Sequence, residues 1–126
     1  MTSQNTLVQD ATVAASAQFD LIKWEKRSVK NGKSIGILSF NRPKQLNALN
    51  TDLASQFSDF LVNHVTRDES LAAIVLTGEG EKAFSAGGDL EFLLDRCNDP
   101  PHSNAQHMLT FYSYFLNPLM YKLQVP

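Results

Sequence analysis

Polar and apolar residues alternate over positions 19–25, where Ile22 and Trp24 are set against Lys23 and Glu25, and this period of two predicts a strand. Asn31-Gly32 then offers the positive φ angles of a two-residue hairpin turn. The return strand is predicted over 34–40, with Ile35 and Ile37 on one face and Leu38 and Phe40 on the other, so it is expected to be buried on both faces. Pro43 ends it. Leu53, Phe57, Phe60, Leu61 and Val65 form a helical stripe, predicting a helix over 52–66 with Thr51 as its N-cap.

After a turn at Asp68-Glu69-Ser70, residues 71–76 are apolar throughout, as a buried parallel strand would be. A loop over 77–86 leads to a short helix carrying Leu90, Leu93 and Leu94, which Asp99-Pro100-Pro101 is expected to break. A longer helix is predicted from near Asn104, with Met108, Tyr112, Phe115 and Leu119 at helical spacing and Pro118 kinking or ending it. The order strand, strand, helix, strand gives an α/β class.

Composition narrows the picture only a little. A length of 126 residues with 43% apolar content fits one domain with a moderate core. Eleven basic and thirteen acidic residues leave a net charge of −2, which speaks against a nucleic-acid partner. No apolar run approaches the roughly 20 residues of a membrane span, so no membrane partner is expected. Cys97 is the one cysteine and reads as a packed or half-exposed thiol rather than a nucleophile. Residues 1–18 are rich in Ser, Thr, Gln and Ala, lack Lys and Arg, and carry Asp10, the wrong balance for a transit or signal peptide. They read as a flexible tail preceding one domain over 19–126.

The candidate chemistry lies in Phe84-Ser85-Ala86-Gly87-Gly88-Asp89-Leu90. Two glycines let a main chain approach a ligand closely, and a helix starting at Asp89 or Leu90 would present its positive end to a developing negative charge. Backbone N–H donors fixed where an oxyanion forms lower its barrier by several kcal/mol. The competing reading is conformational: a strand-to-helix turn uses glycine on its own account.

Gly78-Glu79-Gly80-Glu81-Lys82-Ala83 formally fits a dinucleotide-binding fingerprint, but Gly87-Gly88 interrupt the helix that such a motif needs. His64, His102, His107 and Cys97 match no common zinc spacing, so no metal site is expected. Glu91 and Asp95 lie one helical turn apart and read as a wet face. Arg42 and Lys44 either contact phosphate or flank a proline turn, and the residues alone leave both open. The aromatics Phe111, Tyr112, Tyr114 and Phe115 read as core or subunit interface.

The upstream string Ile37-Leu38-Ser39-Phe40-Asn41-Arg42-Pro43-Lys44-Gln45-Leu46-Asn47-Ala48-Leu49-Asn50, followed in order by the glycine turn, resembles the N-terminal signatures of the enoyl-CoA hydratase/isomerase, or crotonase, family. The resemblance covers roughly 19–126. It implies a crotonase-like spiral of strand-strand-helix units, truncated to about its first half. It also implies an acyl-CoA thioester as substrate, with coenzyme A as part of that substrate and no separate cofactor. By match, Gly88 is the backbone oxyanion donor. Arg42, Lys44, Leu46, Ala48, Ala86, Gly87, Gly88, Asp89 and Leu90 are substrate-binding candidates, with the Ala86 backbone near the adenine amino group and the aromatic helix walling the acyl pocket.

Where several hydratases carry a basic residue two places after the Asp, this chain has Glu91, so that position is not expected to hold phosphate. The second oxyanion donor and the acid/base carboxylates of the family are expected beyond Pro126, which would leave this chain inactive alone. An alternative is a non-catalytic module whose open strand edge pairs with another chain. Homo-oligomers, trimers or hexamers in full-length relatives, are a further expectation of the resemblance, and the compartment stays open between cytosol, mitochondrion and peroxisome.

Overall fold

The computed structural model describes residues 11–13 and 19–126. A four-stranded sheet runs in the order β1 (Ala11–Val13), β2 (Ile22–Ser28), β3 (Ser34–Phe40), β4 (Leu71–Gly78). β1 pairs antiparallel with β2, placing three residues of the stretch read as a tail on the sheet edge; the rest of that stretch lies outside the described residues. β2 and β3 form the predicted hairpin, in register from Ile22 against Phe40 to Ser28 against Ser34. At its turn Asn31 and Gly32 both take positive φ, 64° and 72°, the demand that an Asn-Gly pair meets at least steric cost.

β4 joins β3 in parallel, and α1 (Thr51–Asn63) makes the crossover. The N-cap of α1 is Asn50, not Thr51: the Asn50 side chain accepts the Leu53 N–H at 2.9 Å. α1 packs its apolar stripe onto one sheet face, where Leu53, Phe57 and Leu61 meet Ile22, Trp24, Leu38 and Phe40. Phe57 is fully buried between Phe40 and Phe115, with ring centroids at 5.7 and 5.2 Å.

α2 (Leu90–Cys97) and α3 (Pro101–Asn117) follow. α3 begins three residues earlier than the sequence suggested, because Pro101 occupies a first-turn position where the missing N–H costs nothing. It ends where Pro118 was expected to act, passing into a π-helical turn over Pro118–Lys122. Phe111 stacks on Phe92 of α2 with centroids 4.5 Å apart, so part of the aromatic stripe is core as read.

Two expectations are corrected. β3 buries Leu38 and Phe40, but Ile35 and Ile37 on its other face are only partly covered. β4 is an edge strand rather than a buried one: Val75 is 48% exposed. An all-apolar run signals burial only when layers cover both sides, and none covers the outer side of β4 among the described residues. That edge is not wholly open either, since Ile74 N–H donates to Pro126 C=O at 2.8 Å. No helix among the described residues is long and apolar enough to cross a membrane.

Because β3 and β4 are parallel neighbours, the loops leaving their C-terminal ends, 41–50 and 79–89, emerge side by side. In α/β sheets ligand sites form at that end of the strands.

Candidate functional site

The two loops are bound together by a buried asparagine. Asn47 is 1% exposed and adopts a left-handed backbone, φ 55°, which Asn tolerates better than most residues. Its Oδ1 accepts the Arg42 N–H at 2.9 Å, and its Nδ2 donates to the carbonyls of Glu79 at 2.9 Å and Ala83 at 3.0 Å. The approach is close enough that a Cβ on Gly78 would lie 2.2 Å from the Phe84 carbonyl oxygen and 2.5 Å from Asn47 Nδ2. Ser85 Oγ donates to Asn47 C=O at 2.8 Å and accepts the Gly87 N–H at 3.1 Å.

The stretch 46–49 then acts as a template for the glycine turn. Ala86 N–H donates to Leu46 C=O at 2.9 Å, Leu49 N–H to Gly87 C=O at 2.7 Å, and Asp89 N–H to Leu49 C=O at 2.9 Å. This is a single parallel bridge between Leu49 and Gly88. In such a bridge the central residue turns its own N–H and C=O away from its partner. From Ala86 to Asp89, the Gly88 N–H alone has no acceptor among the described residues, and Gly88 is exposed. Gly87 carries φ 91°, a conformation that makes glycine the fitting residue there.

Asp89 begins α2 as its N-cap, with Oδ1 accepting the N–H groups of Glu91 at 2.9 Å and Phe92 at 3.2 Å. Its Oδ2 receives Arg42 Nη1 at 3.0 Å. Burial pushes the Asp89 carboxyl up, but the Phe92 N–H, the Arg42 hydrogen bond and charge, and the Glu91 N–H outweigh it and hold the group below the usual carboxylate range. The positive end of α2 therefore adjoins Gly88, as read from the sequence.

The structure brings together most of the residues singled out. Arg42 turns inward, its side chain 13% exposed, with Nη1 also donating to Ala48 C=O at 2.6 Å, so its guanidinium is engaged within the protein. Ala48 is buried, whereas Ala86 and Leu90 are exposed. Lys44 lies in a cleft of about 390 Å³ lined also by Pro43, Leu46, Glu79, Gly80 and Lys82. Leu46 borders both cleft and glycine turn, through its side chain and its carbonyl.

The fingerprint-like run Gly78 to Ala83 contains no helix, which removes the dinucleotide reading. His64 packs against Phe19 and Phe60, His107 Nδ1 meets Asp99 at 3.0 Å, and Cys97 is a free, exposed thiol. Sequence reading missed the roles of Asn47, Ser85 and the Arg42–Asp89 pair. An Asn inside Leu-Asn-Ala directly after a proline turn is the one signal that marks a left-handed, hydrogen-bonded corner.

Residues 35–126 match the family model described as enoyl-CoA hydratase/isomerase. The chain belongs to the enoyl-CoA hydratase/isomerase family. It is 43% identical over 61 residues to the short-chain-enoyl-CoA hydratase of Clostridium acetobutylicum, covering 48% of this chain and 23% of that protein. It is 38% identical over 78 residues to a mitochondrial 3-hydroxyisobutyryl-CoA hydrolase of Dictyostelium discoideum, covering 62% of this chain and 20% of that one. The crystal structure of an enoyl-CoA hydratase/carnithine racemase from Magnetospirillum magneticum superimposes with a TM-score of 0.66 at 23% identity, over 82% of this chain and 36% of that one. That likeness is one of fold, and it establishes the crotonase-type α/β architecture expected for this family. The chain thus spans about a quarter or less of these curated relatives and about a third of the solved structure.

Proposed function

We propose that this chain binds an acyl-CoA thioester and that the Gly88 N–H donates to its carbonyl oxygen, stabilising the enolate oxyanion formed when charge moves onto that oxygen. The observation that carries this reading is the Gly88 amide itself, left without an acceptor among the described residues while the N–H groups of Ala86, Gly87 and Asp89 around it are engaged. A fixed donor of this kind is worth about 10²–10³ in rate for acyl-transfer chemistry, because its dipole is already oriented when charge develops. The adjacent N-terminus of α2 adds positive potential at the same point. Thioester activation of this form serves hydration, isomerisation and hydrolysis alike, in keeping with relatives named both hydratase and hydrolase.

The nucleotide side of the substrate falls to the cleft beside the turn. Lys44 and Lys82 offer ammonium groups to phosphate there, and Leu46 offers an apolar wall. Ala86 C=O accepts no bond among the described residues, in keeping with an acceptor for the adenine amino group. Gly87 and Leu90 flank the thioester, while Arg42, Ala48 and Asp89 serve by shaping the turn.

An NMR titration of the ¹⁵N-labelled chain tests the reading. Crotonyl-CoA is expected to move the Gly88 amide proton downfield, while coenzyme A without an acyl group leaves it in place. A Gly88 resonance unmoved at saturating crotonyl-CoA would refute it.

A further inference from the structure

A trans peptide group is a rigid plane whose C=O and N–H point in opposite directions. A bond accepted on one side therefore aims the donor on the other. Two such planes stand in line here. Arg42 Nη1 donates to Ala48 C=O at 2.6 Å. Across that peptide, Leu49 N–H donates to Gly87 C=O at 2.7 Å. Across the next, the N–H is that of Gly88, which has no acceptor among the described residues.

We propose that Arg42 is a positioning residue acting through these two peptides: it aims the Gly88 amide and, as a cation at the head of the chain, strengthens that amide as a donor. The inference rests on the reading of Gly88 as the oxyanion donor. Its physical basis is that charge-assisted hydrogen bonds are short and strong, and that each bond in a chain polarises the next. Both bonds here are short for N–H···O contacts. The pair that anchors the chain is shielded from water, with the Arg42 and Asp89 side chains 13% and 14% exposed. Asp89 keeps the guanidinium in place with one carboxylate oxygen while the other caps α2. Both bonds are made by Nη1, so a phosphate that claimed that nitrogen would have to displace Ala48 and Asp89 from it.

Infrared difference spectra of crotonyl-CoA labelled with ¹³C at the thioester carbonyl test this in the wild-type, Arg42→Met and Arg42→Lys chains. In the wild type the bound carbonyl band is expected below its position in free crotonyl-CoA. In Arg42→Met that red shift should shrink by roughly 10–30% for each hydrogen bond lost from the chain. Arg42→Lys should recover part of it, and affinity for coenzyme A without an acyl group should be the same in all three. A full red shift in Arg42→Met, with weakened binding of coenzyme A itself, would overturn the inference and make Arg42 a phosphate contact while leaving Gly88 in its role. No red shift in the wild type would overturn the Gly88 reading first, and this inference with it. Should Arg42→Met fail to fold, the through-hydrogen-bond coupling between Leu49 ¹⁵N and Gly87 ¹³C′ in the wild type decides: growth on binding crotonyl-CoA supports the chain of bonds, and a constant coupling refutes it.

Discussion

Asn47 combines a left-handed backbone with a buried amide that ties the proline turn to the loop after β4. Alanine there would leave the Arg42 N–H and the Glu79 and Ala83 carbonyls without their partner. At about 1 kcal/mol for each bond lost, Asn47→Ala is expected to lower unfolding stability by about 3 kcal/mol in urea titration; a loss well under 1 kcal/mol would remove Asn47 from this role. Asp89 and Asp68 give the site and the sheet an acid limit. Burial pushes the Asp68 carboxyl up, but hydrogen bonds from Lys26 Nζ and from Ser70, with the Lys26 charge, override it, so like Asp89 it titrates below the ordinary 3.8. A carboxyl depressed in the native state contributes stability that is complete above its unfolded pKa and is lost as pH falls through its native one. Stability is therefore expected to hold from neutrality down to the ordinary carboxylate range and to fall below it. Asp89→Asn and Asp68→Asn should each flatten that acid limb in urea titrations taken as a function of pH.

At the scale of elements, identity was legible and boundaries were not. The period of two in β2, the Asn-Gly turn and the stripe on α1 each follow from local sterics and one buried face, and all three stand in the structure. The N-cap of α1 fell one residue early because Asn50 and Thr51 are both good caps; geometry, not type, selects Asn50. Accordingly, Asn50→Ala is expected to cost about 1 kcal/mol, and Thr51→Ala to stay within about 0.5 kcal/mol of wild type, measured by urea denaturation. Equal losses would mean that the cap is shared. α2 illustrates the opposite case, since Asp89 was read as a helix start while its ion pair with Arg42 went unseen. The two residues are 47 positions apart, and only the parallel pairing of β3 with β4 brings them within 3.0 Å.

At the scale of the whole molecule, that pairing is what makes a site: two loops far apart in sequence meet at one end of the sheet, and one holds the other's glycine turn. The motif of the turn was legible because its chemistry is carried by glycine and by position. The template of 46–49 behind it was not, because backbone-to-backbone bonds leave no residue type to read. The same limit explains β4, whose apolar run could not reveal that it lies at an edge. The central claim is that the Gly88 N–H grips a thioester oxygen. Replacing Gly88 with glycolic acid tests it most directly, since this exchanges that one N–H for an ester oxygen and leaves the side-chain surface unaltered. Affinity for crotonyl-CoA is expected to fall by roughly tenfold, the worth of about one hydrogen bond, with affinity for coenzyme A unchanged. Equal affinity of both chains for crotonyl-CoA would contradict it.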